Sequence, residues 1–115
     1  MDKKDREERE EKIRYLQEHL STEAIFEQLA EECCELGQAS LKYIRALDNG
    51  NPTPEIPSHA MFNILEEFAD VYLCIIIADI SIKEDVLDYK LDRWYKRVLH
   101  RDEIEDAKKW KTGEE

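Results

Sequence analysis

All three prolines of this 115-residue chain, Pro52, Pro54 and Pro57, fall within six positions, and the only glycines are Gly37, Gly50 and Gly113. Breakers this scarce and this clustered starve a β-sandwich or barrel of turns. They leave long uninterrupted stretches on either side of one loop, Asp48 to Pro57. The expected fold is all-α, a four- to five-helix bundle.

Hydrophobic spacing places the helices. Residues 2–12 alternate acids and bases and read as a solvated, helix-prone, partly frayed lead-in. Helical periodicity starts at Ile13 and continues through Leu16 and Leu20. Ser21 and Thr22 are candidate caps for a second helix, striped by Ile25, Leu29, Leu36, Tyr43, Ile44 and Leu47. Ser58 is the expected cap of a third, running to about Asp79. Its segment Val71 to Ile77 has the composition of a buried strand, but no breaker separates it from the helical pattern of Met61 to Ala69. Ser81-Ile82-Lys83-Glu84 has the form of a capping box for a fourth helix, expected to end near His100. The resulting organisation is a lead-in over 1–20, one domain over 21–101 and a charged tail over 102–115.

A core of this size is thin, and the third helix is apolar around most of its circumference. A homodimer or homotetramer is the expected way to finish its burial. The net charge of −11 argues against a nucleic acid duplex as partner. No apolar run approaches the roughly 18 residues of a membrane span. Cys33, Cys34 and Cys74 form neither a paired zinc spacing nor a disulfide framework, which suits reduced thiols and a cytoplasmic location.

Four acids stand where a helical bundle has no simple use for them. At about 100° per residue, Glu32 lies roughly 40–60° from Leu29 and Leu36, inside the apolar stripe of the second helix. Glu35 sits at the edge of that stripe, with Gln28 between the two in angle and one turn earlier. On the third helix, Glu67 and Asp70 share a face at i,i+3 spacing within the most hydrophobic part of the chain, and Asn63 lies between them in angle. Glu27 and Glu31 point further outward. Buried carboxylates need a partner. Oxygen-only donors on two helices suit a hard cation, Mg²⁺ or Mn²⁺. The di-iron alternative requires Glu-x-x-His, and none of His19, His59 and His100 has an acid three residues before it.

Between Glu18 and Asp79 there are twelve acids and only two bases, Lys42 and Arg45. The fourth helix is richer in cations, with Lys90, Arg93, Lys96 and Arg97. Lys90 and Arg97 flank its apolar stripe and are candidates for binding phosphates.

Glu31-Glu32-Cys33-Cys34-Glu35 followed by Glu67-Phe68-Ala69-Asp70 reproduces an EExxE…ExxD order. In this respect residues 20–100 resemble the MazG-like all-α nucleoside triphosphate pyrophosphohydrolases. The resemblance implies Mg²⁺-dependent cleavage of a nucleoside triphosphate to the monophosphate and pyrophosphate. It implies Glu32, Glu35, Glu67 and Asp70 as metal ligands, with Glu31 and Glu66 as outer groups or a base. Gln28, Asn63, Lys90, Arg93 and Arg97 are the expected substrate-binding residues. Thirty-one residues separate Glu35 from Glu67, long for the family. Trp94 stands four residues after Lys90, where the dCTPase-like branch has Asn. The alternatives are a related pyrophosphohydrolase acting on a substrate such as phosphoribosyl-ATP, and a non-catalytic helical interaction module whose acids are merely solvated.

Overall fold

The computed structural model describes residues 1–47 and 53–112. Four helices account for nearly all of them: α1 (Lys3–His19), α2 (Thr22–Leu47), α3 (Pro57–Ile77) and α4 (Glu84–Thr112). No strand occurs among the described residues, so the fold is all-α. By internal packing the chain divides into two units, Met1–Ser81 and Ile82–Glu115. Much of the expected Asp48–Pro57 loop, from Asp48 to Pro52, lies outside the described residues, as does the last part of the 102–115 tail.

The lead-in is not frayed. Asp2 caps α1, its Oδ1 accepting the Asp5 N–H at 2.8 Å, and the helix runs unbroken to His19. A capping carboxylate suits the positive end of the helix dipole. Within the first unit α1 packs against α3. Ile13 and Leu16 are half-buried there, and the Gln17 amide donates to the Ile77 carbonyl at 3.3 Å. That carbonyl is one of the four at the C-terminus of α3 with no partner inside the helix.

Ser21 caps α2 as its sequence suggests, accepting the Ala24 N–H at 3.1 Å. α3 begins one residue before the expected Ser58 cap. Ile56 is the N-cap and Pro57 is the first helical residue. Proline is favoured at that position because its ring presets φ and the N–H it lacks would have had no helical partner. The segment Val71 to Ile77 is helical, and α3 ends two residues short of Asp79 in a Schellman motif. Ile80 N–H donates to Ile75 O at 3.1 Å and Asp79 N–H to Ile76 O at 3.0 Å, with Asp79 left-handed at φ 58°.

α2 and α3 form the body of the first unit. Small residues let them approach closely, and the buried set is Ala39, Ala60, Val71 and Cys74. Among the described residues no large side chain is fully buried, and Phe62, Leu65, Phe68 and Tyr72 are each more than half exposed.

The capping box before α4 does not form. The helix starts at Glu84, and the first backbone bond runs from Leu87 N–H to Lys83 O at 3.0 Å, which makes Lys83 the N-cap. α4 also passes through the expected end at His100 and continues to Thr112. No glycine or proline interrupts the sequence between Glu84 and Gly113, and good helix formers fill the gap.

Candidate metal centre

The i,i+3 spacing sets Glu32 and Glu35 on one face of α2, and Glu67 and Asp70 on one face of α3. Packing the two helices brings these faces together. One carboxylate oxygen from each of the four residues lies within 4.8 Å of the others. Along this seam α2 advances from Glu32 to Lys42 while its neighbours on α3 run back from Asp70 to Asn63, so the helices are antiparallel. The four residues singled out by the helical wheel are the four that converge.

Glu32 and Glu67 are half-buried; Glu35 and Asp70 are exposed. The Oε2 atoms of Glu32 and Glu67 are buried with no hydrogen-bond partner. A buried oxygen in that condition has lost its water and gained nothing in return. The other Glu32 oxygen accepts from Gln28 Nε2 at 2.7 Å. No ion pair to Lys or Arg involves any of the four acids among the described residues.

The electrostatics reflect that crowding. The Gln28 hydrogen bond by itself favours ionised Glu32. Burial and the negative charges of Glu35 and Asp70 together outweigh it and hold the Glu32 carboxyl above its ordinary value. Cys74 belongs to the same environment. Its thiol is pushed up by burial first, then by the charges of Glu32 and Asp70. It stays a neutral thiol behind the acids rather than a thiolate. In the sequence Cys74 stands out only as a reduced thiol. Its position one turn after Asp70 and two after Glu67 already placed it on the acidic face.

Next to the carboxylates an open cleft of about 400 Å³ lies between α2 and α3, lined by Glu35, Gln38, Ala39, Lys42, Asn63 and Glu67. Asn63 is thus beside the acids, as expected. Gln38 and Lys42 were absent from the expected site, although both follow Glu35 on its helical face, at i+3 and i+7. Glu31 and Glu66 are exposed and outside the group of converging oxygens.

The expected phosphate-binding cations lie in the second unit, on α4. Arg93 and Arg97 line a shallow depression with Tyr89, Asp92, Lys96 and His100. Lys90 is exposed and does not line it. Lys96 is held by Asp92 at 2.9 Å, and that hydrogen bond raises its pKa.

The donor chemistry fits a hard divalent cation. All donors are oxygens, two of them are buried and lack any proton to accept, and the cluster carries no compensating positive charge. A cation bound here would satisfy the orphaned oxygens and remove the repulsion that perturbs Glu32. No family model matches the chain, and no curated protein or solved structure matches it.

Proposed function

We propose that this chain is a divalent-cation-dependent pyrophosphohydrolase that converts a nucleoside triphosphate to the monophosphate and pyrophosphate. The observation that carries the reading is the convergence of Glu32, Glu35, Glu67 and Asp70, with two of their oxygens buried and unpartnered. The EExxE…ExxD order of the same residues, and the resemblance built on it, supports the reaction class.

These four residues would hold Mg²⁺, with Mn²⁺ as a substitute. When bound, the cation supplies charge for the phosphoryl oxygens and lowers the pKa of a water. The rest falls to the protein. Gln28 fixes the rotamer of Glu32 through its amide, so that the carboxylate faces the other three. Water adds across the α–β phosphoanhydride: one phosphorus gains the water oxygen, and the bridging oxygen departs with the other. The proton released passes to a carboxylate, for which exposed Glu31 and Glu66 are the candidates. Lys90 and Arg97 enter the reading through their place beside the apolar stripe of α4, and Arg93 through the resemblance.

A homo-oligomer is part of the same proposal. Phe62, Leu65, Phe68 and Tyr72 make α3 an apolar surface that a second copy would cover. Sedimentation at micromolar concentration is expected to give a dimer or tetramer, and a stable 13.7 kDa monomer would contradict it.

The reaction is tested with a panel of canonical and damaged nucleoside triphosphates, with Mg²⁺ and with excess chelator. The expected result is pyrophosphate and monophosphate in equal amounts, only with the metal. Release of orthophosphate, or no turnover across the panel, would refute the assignment.

A further inference from the structure

The cleft beside the carboxylates has a chemistry of its own. Glu35 and Glu67 stand at the metal end; Gln38, Asn63 and Lys42 extend it, over a floor that includes buried Ala39. A small residue at position 39 keeps the floor low. Two amides and one ammonium group are donors, and beyond the two acids the lining offers no other charge.

Lys42 has no evident structural role. Its i±3 and i±4 neighbours on α2 are Gln38, Ala39, Arg45 and Ala46, so no acid pairs with it along the helix. It is exposed and forms no ion pair among the described residues. It also lies more than a turn from the end of α2 at Leu47, where Arg45 is the base suited to the helix dipole. In a stretch with twelve acids and two bases, the one cation lining this cleft among the described residues has no ion-pair partner among them. Seven residues from Glu35 place it about 10 Å further along the helix axis. From there a flexible ammonium can turn back toward anionic groups held at the acids.

We propose that this cleft is the subsite for the two phosphates that leave as pyrophosphate, with Lys42 as their charge partner and Gln38 and Asn63 as amide donors. The proposal rests on the pyrophosphohydrolase reading and adds the direction of the substrate. The phosphate tail runs from the carboxylates toward the C-terminal part of α2, and the nucleoside lies at the other side of the metal centre. Lys42 is a binding residue that neutralises charge on the departing group, a role a compact, strongly hydrated ammonium fills as a point charge.

The test is calorimetric titration of the full chain, first with Mg²⁺ alone and then with inorganic pyrophosphate at saturating Mg²⁺. Lys42→Ala is expected to bind Mg²⁺ within about twofold of the unmutated chain and pyrophosphate roughly 10- to 100-fold more weakly, the loss of one charge-assisted contact. Lys42→Arg, which keeps the charge, is expected to recover most of that loss, and Arg45→Ala to have little effect. Equal pyrophosphate affinity in the unmutated chain and Lys42→Ala would overturn the subsite while leaving the metal centre intact. So would Mg²⁺ binding with no pyrophosphate binding at all. Loss of Mg²⁺ and pyrophosphate together in Lys42→Ala would make the residue structural and also overturn it. An unmutated chain that binds no Mg²⁺ would remove the pyrophosphohydrolase reading as well.

Discussion

On α4, Asp92 holds Lys96 at 2.9 Å and Glu105 holds Lys108 at 3.5 Å, pairs at i,i+4 and i,i+3 with every partner exposed. On α2 and α3, Glu32, Glu35, Glu67 and Asp70 have no base at i±3 or i±4, and their oxygens meet each other instead. Both regions are rich in acids. The difference is whether the positions one turn away supply a counter-charge. Where they do, acids make a solvated helix surface of small energetic consequence. Where they do not, and the acidic face is also the packing face, the protein keeps a repulsive cluster that a cation would relieve. Partner spacing separates the two regions, and acid density does not.

The largest effect that could break this comparison is on α3. Glu67→Gln and Asp70→Asn are each expected to lower Mg²⁺ affinity and pyrophosphate release by at least about 100-fold, since even outer groups of metal sites cost 10- to 100-fold. Melting of the metal-free protein should be unchanged or higher, because one repelling charge is gone. Near-native pyrophosphate release from either variant would show that the convergence has no catalytic meaning. Glu27→Gln on the outer face of α2 is the silent control.

The pH dependence of the metal-free protein sharpens the same point. The native Glu32 carboxyl titrates above its ordinary value of 4.5, so folding favours its protonated form. Its stabilising contribution is complete below the unfolded value and is lost as pH rises through the native one. The melting temperature without metal should therefore decline over that interval, and Glu32→Gln should flatten the decline. Thermal melts from pH 4 to pH 7 read this directly. A contribution from Glu32 that grows with pH would contradict the electrostatics described above.

A smaller effect separates two kinds of acid in the first unit that are unfavourable for different reasons. Asp79 is strained by its backbone, left-handed at φ 58° at the end of α3, where its charge also faces the negative end of the helix dipole. Asp79→Gly should stabilise the fold by about 1 kcal/mol and leave Mg²⁺ binding unchanged. Removing a site acid, by contrast, should trade Mg²⁺ affinity for stability. Denaturant unfolding with and without Mg²⁺ distinguishes the two. The smallest effect belongs to α4: Asp92→Asn should cost at most about 0.5 kcal/mol, with no change in Mg²⁺ binding.

The four converging acids were legible because helical periodicity alone puts each pair on an apolar face, and two such faces must pack together. The cap of α2 was legible because Ser21 stands directly before the first helical residue. The start of α3 departs from the expected Ser58 cap because Pro57 is the stronger mark of a first turn. α4 outruns its expected end at His100 because charged residues without breakers extend a helix. Helical periodicity does not set Cys74 and Lys42 apart, because a thiol reads as one more apolar residue and Lys42 as one more exposed base. Both lie on the faces that periodicity identifies. The orphaned Oε2 atoms depend on how closely α2 and α3 approach, which no periodicity encodes.

The most direct test of a cation-binding carboxylate centre is Mg²⁺ titration of the chelator-treated chain at neutral pH, followed by thermal melting and calorimetry, with Glu67→Gln beside it. A saturable heat and a rise in melting temperature at millimolar Mg²⁺ or below are expected, both lost in Glu67→Gln. An identical shift in the two proteins, or none in either, would contradict the account and leave the four acids a solvated surface like that of α4.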